Sequence, residues 1–177
     1  HIYPDANILC VNPNNFKKQN REEILVKIRD EDYDGIIMAY SSFELIPISK
    51  EYVKTTIEEE LVTINKLLKN TKKVTKQLNA KKIRLEKELE KVNLEIEKQL
   101  NTVYFNDLGI NTLFLDEAHN YKNVPIDTKI NRVLGINVTG SNACKEMMQK
   151  VHIVQRNNNG RGVVFATGTP ITNSLTD

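Results

Sequence analysis

LFLDEAHNYKN, residues 113–123, sets two carboxylates, Asp116 and Glu117, directly behind a short apolar run. The run, residues 112–115 (TLFL), reads as a strand. Carboxylates at the end of a buried strand are costly unless a metal, a positive partner or a reacting water compensates them. Three further runs have the same character: residues 6–11 (ANILCV), 35–40 (GIIMAY) and 162–166 (GVVFA). All four are near-continuously apolar rather than alternating, which is the pattern of parallel strands covered on both faces. Ile24, Leu25 and Ile28 fall at helical spacing between the first two runs. Ala143, Met147, Val151 and Val154 do so between the last two, ahead of an Asn-Gly-rich turn. Strand, helix, strand repeated in this way predicts an α/β fold whose four strands form one parallel sheet.

Residues 50–101 break that rhythm. They contain no Gly or Pro and are dense in Glu and Lys. Ile57, Leu61, Ile64 and Leu68, then Leu78, Leu85, Leu89, Val92 and Ile96, step by three and four as a heptad seam, interrupted at Thr71, Thr75 and Lys82. A single helix of this length would run roughly 75 Å at about 1.5 Å per residue. Flanking strands of one sheet cannot be joined by such a rod, so an antiparallel helical hairpin (a short coiled coil) is predicted. Its turn is placed at residues 70–73, with Asn79 and Ala80 as second choice. The expected organisation is a lobe built from residues 1–49 and 102–177, with the hairpin inserted between them. Acids and bases alternate along the hairpin, which reads as a solvated coiled coil without a basic face for phosphates.

Composition narrows the function classes. The net charge of +2 argues neither for nucleic acid nor for a membrane, so any polyanion site must come from local clustering. Cys10 and Cys144 stand apart, and His1, His119 and His152 are scattered; neither a disulfide nor a zinc site is expected. No apolar run approaches spanning length and no signal peptide is visible, so a cytoplasmic protein with no membrane partner is expected. The chain opens HIYPDANILCV without Met and closes TGTPITNSLTD in mid-pattern, which reads as a piece of a larger protein.

A strand ending in Asp-Glu fits the Walker B arrangement, in which the Asp holds Mg²⁺ beside nucleotide phosphates and the Glu deprotonates the attacking water. Ligands of open parallel sheets collect at the carboxyl ends of strands. The alternative is a helix N-terminus, where acids complement the dipole. The tetrad Asp116-Glu117-Ala118-His119 is joined downstream by VVFATGTPITNS, where Thr167, Gly168, Thr169 and Pro170 follow a second strand. Together these resemble motifs II and III of superfamily two helicases and translocases, in particular the Swi/Snf-like branch with its DEAH…KN and TGTP…N. YPDANIL, DYDGIIMAYSSFELIP, the charged helical insert, LGINTLFLDEAHNYKN and RGVVFATGTPITNSLTD together look like the helicase part of large adenine-specific DNA methyltransferase/helicase proteins of phages, plasmids and conjugative elements. That likeness spans nearly the whole chain.

The resemblance implies a partial RecA-like first motor lobe that binds ATP and Mg²⁺. Asp116 is then the metal-side acid and Glu117 the general base. His119, Thr167 and Thr169 couple nucleotide state to DNA, and Ser41-Ser42-Phe43 stands where such lobes touch DNA. Double-stranded DNA would be held through its phosphates, without sequence readout. Competing readings stay open: Ser41 and Ser42 as strand-end caps, Phe43 as core, His119 satisfying a backbone carbonyl, Lys122 and Asn123 as loop, and Lys17, Lys18 and Arg21 as a solvated helix face. A phosphate loop, G-x-x-x-x-G-K-[ST], is absent from these residues. Residues 135–140 (GINVTG) have only the glycine spacing, lack the Lys, and follow the DEAH tetrad. The family pattern places the true loop upstream of His1. Its absence is expected to leave the Thr167 strand as an unpaired edge, through which copies of this piece can dimerise. Two other functions compete: an interaction module whose hairpin binds a partner, and the motor subunit of a restriction system.

Overall fold

In β1 (Ile8–Val11) and β2 (Gly35–Met38), residues pair in parallel with Ile8 opposite Gly35 and Val11 opposite Met38. The computed structural model describes residues 3–70, 76–96, 102–121 and 141–169. α1 (Arg21–Asp30) makes the crossover between these strands, with Leu25 and Ile28 buried. Glu22 and Glu23 in its first turn and Lys27 and Arg29 in its last complement the helix dipole. Phe16, 2% exposed, closes the core beneath the loop that enters α1, and the Arg21 guanidinium lies 5.5 Å from its ring centre.

A second parallel pair follows the same plan. β3 (Leu113–Leu115) lies beside β4 (Val163–Phe165), Leu113 opposite Val163 and Leu115 opposite Phe165. Between them, α5 (Asn142–Asn157) is capped by Ser141, whose Oγ accepts from the Cys144 amide at 3.1 Å. Cys144, Met147, Val151 and Val154 form its buried stripe. The chain leaves α5 through left-handed backbone at Asn159 and Gly160, and the Gly160 amide returns to Gln155 O at 2.7 Å. Gly162, at φ +91°, passes so close to Asn111 that a Cβ would sit 2.5 Å from the Asn111 carbonyl oxygen. Its own carbonyl accepts from Leu113 N at 2.8 Å, so this contact sets the β3–β4 register.

The class is therefore mixed α/β, but two expectations are corrected. Among the described residues the four strands form two two-stranded parallel sheets rather than one sheet. The strands are also not covered on both faces. Leu113 and Leu115 are buried while Phe114 between them is 74% exposed, and Ile37 is 64% exposed. Continuous apolar sequence cannot distinguish a doubly covered strand from one with a bare apolar face, because that distinction depends on which helices dock.

Residues His1–Pro47 and Asp107–Asp177 form one compact unit and Ile48–Asn106 another. The second contains α3 (Lys50–Asn70) and α4 (Lys76–Ile96), and is a few residues wider at each end than the range expected for the insert. Val103 and Phe105 are buried, and Ser49 N donates to Asn106 Oδ1 at 3.2 Å. Ile57, Ile64, Leu85 and Val92 are buried between α3 and α4, flanked by Val53, Leu61, Leu68, Leu78, Leu89 and Ile96. Lys50 pairs with Glu95 and Lys81 with Glu60, which sets the start of each helix beside the later part of the other. The two helices are thus antiparallel. These ion pairs are exposed and screened, so they add little; the apolar seam dominates at about 1.5–3 kcal/mol per fully buried large side chain. Asn79 and Ala80, the second choice for the turn, lie inside α4. Residues 71–73 of the first choice lie outside the described residues.

Candidate functional site

β3 ends at Leu115, and the backbone turns at once. Asp116 Oδ1 accepts the Glu117 amide at 3.0 Å, so a side chain takes the backbone donor just past the strand. Glu117 takes φ +50°, a left-handed conformation that a non-glycine residue adopts only where its surroundings hold it. Two hydrogen bonds do so: Ala118 N donates to Ala166 O at 3.0 Å, and Asn120 N to Glu117 O at 3.1 Å. A short 3-10 turn, Ala118–Tyr121, follows. Asp116 and Glu117 are both exposed, so their charges are solvated at the strand mouth rather than trapped in the core.

The end of β4 reaches the same place. His119 Nδ1 lies 3.0 Å from Thr167 Oγ1, 3.3 Å from Thr169 Oγ1 and 3.1 Å from Glu117 Oε2. Thr169 N in turn donates to Thr167 Oγ1 at 3.2 Å. A carboxylate oxygen beside Nδ1 is favourable only when that nitrogen carries a proton, so Nδ1–H is the donor and the carboxylate and the two hydroxyls compete as acceptors. The structure thus brings five of the sequence-selected residues, Asp116, Glu117, His119, Thr167 and Thr169, to one junction between two neighbouring strands.

The remaining selections divide. Ser41 is exposed on α2 (Tyr40–Phe43), whereas Ser42 is 1% exposed and presents no surface to a phosphate. Among the described residues Ser42 Oγ has no hydrogen-bond partner. Neither serine caps α2, whose N-cap is Ala39. Lys122, Asn123, Pro170 and residues 135–140 lie outside the described residues.

Sequence reasoning passed over the groups that fasten α2 to this junction. Tyr40 Oη donates to the Asp116 carbonyl, and Tyr121 Oη donates to Glu44 Oε1 at 2.8 Å. The two rings meet edge to face, centroids 5.2 Å apart. Burial, reinforced by Glu44, pushes the Tyr121 hydroxyl well above the ordinary tyrosine range. Tyr40 is raised by burial and then by Asp116 and Glu117. Behind them Lys150, 1% exposed on α5, donates to Phe43 O at 2.7 Å and lies 4.5 Å from the Phe43 ring centre. Burial lowers its pKa to about 8, against the opposing pull of Glu146 and Glu44. One signal was legible: Lys150 sits at i+3 from Met147 and i−4 from Val154, on the apolar stripe of its helix.

Among the described residues no group of three or more His, Cys, Asp or Glu side chains gathers to hold a metal, and Cys10 and Cys144 are free thiols. Exposed oxygen donors at a strand end suit a hard ion such as Mg²⁺, which takes one or two carboxylates and fills its octahedron with water and phosphate. They do not suit zinc. Also among the described residues, no helix is long and apolar enough to cross a membrane.

Comparison with known proteins agrees with the motif reading at a coarse level. The chain is 32% identical over 83 residues to "Defense against restriction protein B" of Escherichia phage P1, a match covering 46% of this chain and 4% of that protein. No solved structure matches. The family described as a probable helicase domain matches residues 1–177 throughout, and the chain belongs to that family.

Proposed function

We propose that the chain is part of a DNA-dependent ATPase, a Swi/Snf-like superfamily two translocase or helicase. It supplies part of a RecA-like first motor lobe within a larger protein, one that also carries an adenine-specific DNA methyltransferase and acts in the cytoplasm. The observation that carries this reading is the three-way approach of Glu117, Thr167 and Thr169 to His119 Nδ1, because it links the two strand ends that such a motor must couple.

In this reading Asp116 supplies a carboxylate to Mg²⁺, and the ion neutralises charge on the nucleotide phosphates. Glu117 orients a water and accepts its proton. While Glu117 is paired with Nδ1–H it is less available as a base. When Thr167 or Thr169 takes over as acceptor, the carboxylate is freed to face the cleft. Ser41 offers its hydroxyl to a DNA phosphate; Ser42, being buried, has no such part. Fold, family and the phage relative support the motor; the methyltransferase link rests on the sequence resemblance alone.

The test uses the complete gene product that contains this sequence. DNA-stimulated ATP hydrolysis is expected, falling about 10³-fold or more in Glu117→Gln with ATP binding retained, the order expected when a general base acting with bound metal is removed. Hydrolysis within a few-fold of the parent in Glu117→Gln overturns the assignment. A second reading, in which the hairpin is a docking element for a partner protein, is favoured by Ile83 and Leu94, exposed on the side of α4 away from its seam. A complete protein that hydrolyses no ATP but loses a partner when both are changed to Glu would support it.

A further inference from the structure

We propose that Tyr40 is a positioning residue that makes the α2 segment and the carboxylate junction one mechanical unit, so that a DNA phosphate engaged at Ser41 is felt at Glu117. This inference rests on the functional reading above and adds a route to it. The carrying observation is a reciprocal clamp. Tyr40, the first residue of α2, donates to the Asp116 carbonyl, and Tyr121, the last residue of the turn after the acids, donates to Glu44 at the C-cap of α2. Each segment gives one tyrosine and receives one. Two bonds at opposite ends, with the edge-to-face ring contact between them, resist both sliding and rotation of α2 against the junction.

A third attachment stops α2 from moving alone. The Phe43 carbonyl accepts Ile46 N at 3.2 Å, and Lys150 adds a second bond to it at 2.7 Å from the buried face of α5. α5 leads directly into β4, whose far end carries Thr167 and Thr169. The carbonyl that Tyr40 holds belongs to the peptide joining Asp116 to Glu117, the residue at φ +50°. A shift of α2 therefore acts on the backbone torsions that aim the Glu117 carboxylate.

The experiment measures ATP hydrolysis by the complete gene product with and without mixed-sequence duplex DNA, comparing the parent with Tyr40→Phe, Tyr121→Phe and the double variant. Each substitution removes a hydroxyl and leaves its ring. The ratio of DNA-stimulated to DNA-free rate is expected to fall about tenfold in each single variant, within the range of couplings carried through packed networks. The half-saturating DNA concentration should stay where it was, and the double variant should fall little further than either single one, since both cut the same clamp. A fall of the two rates in equal proportion, or a ratio within twofold of the parent, overturns the proposal. If the parent protein shows no DNA-stimulated hydrolysis, the functional reading fails by itself. The clamp is then decided on the 177-residue chain by hydrogen exchange: faster exchange at the Ala118 and Asn120 amides in Tyr40→Phe supports it, and unchanged exchange overturns it.

Discussion

Lys150 gives the sharpest quantitative prediction. Its ammonium is almost wholly buried, and its pKa falls from 10.5 to about 8 because burial penalises the charged form. In the unfolded chain the same amine keeps its ordinary value, so between pH 8 and 10.5 the unfolded state binds more protons. Stability must then rise with pH across that window, the opposite of what a salt-bridged lysine does. The gap between 10.5 and about 8 corresponds to about 3 kcal/mol at about 1.36 kcal/mol per pH unit. Of this, about 2 kcal/mol should be recovered between pH 7 and pH 9.5 by linkage. Stopping there matters, because Tyr121 and Tyr40 have raised values, and their contribution is lost only as pH climbs through the tyrosine range. Glu44 and Glu146 pull the Lys150 value upward, but less than burial pushes it down. The assay is urea unfolding followed by circular dichroism at pH 7 and pH 9.5, for the parent and for Lys150→Met. With a slope of about 2 kcal/mol per molar urea, the midpoint of the unit containing α5 should rise by about 1 M in the parent and stay nearly fixed in the variant. A parent midpoint that is flat or falls, or an equal rise in Lys150→Met, would refute the reasoning.

Three further outcomes follow from separate contacts. Gly162→Ala should destabilise by at least about 2 kcal/mol, since it combines a left-handed φ with a 2.5 Å approach to the Asn111 carbonyl, and thermal unfolding will read it. Ser42→Ala should leave stability unchanged or raise it by about 1 kcal/mol in urea unfolding, because the hydroxyl it removes is buried without a partner among the described residues. The purified 177-residue chain should show no appreciable ATP hydrolysis, because it contains no GK[ST] phosphate loop. Robust DNA-stimulated turnover by that chain, abolished in Glu117→Gln, would contradict this last expectation.

Local chemistry was legible from the residues themselves. The four apolar runs became β1 to β4, and the seam from Ile57 to Ile96 became the packed face between α3 and α4, because a short apolar run bounded by turn residues marks a strand and a 3.6-residue period marks one face of a helix. The pairing of Asp116 and Glu117 at a strand end was equally visible, since a run of apolar residues followed by charge marks where burial stops. Three matters depended on docking in three dimensions, and sequence had no means to decide them. Separate two-stranded sheets replaced a single one, and Phe114 and Ile37 are exposed, because coverage depends on which helices come to lie over each strand. Ser41 and Ser42, adjacent and chemically identical, part company because a helical turn points successive side chains about 100° apart, one to solvent and one to the core. The meeting of His119 with Thr167 and Thr169, and of Tyr40 and Tyr121 with Asp116 and Glu44, joins residues dozens of positions apart. Hydrogen bonds of that kind are specified by how α2 and β4 come to lie beside the end of β3, and only the folded chain shows them.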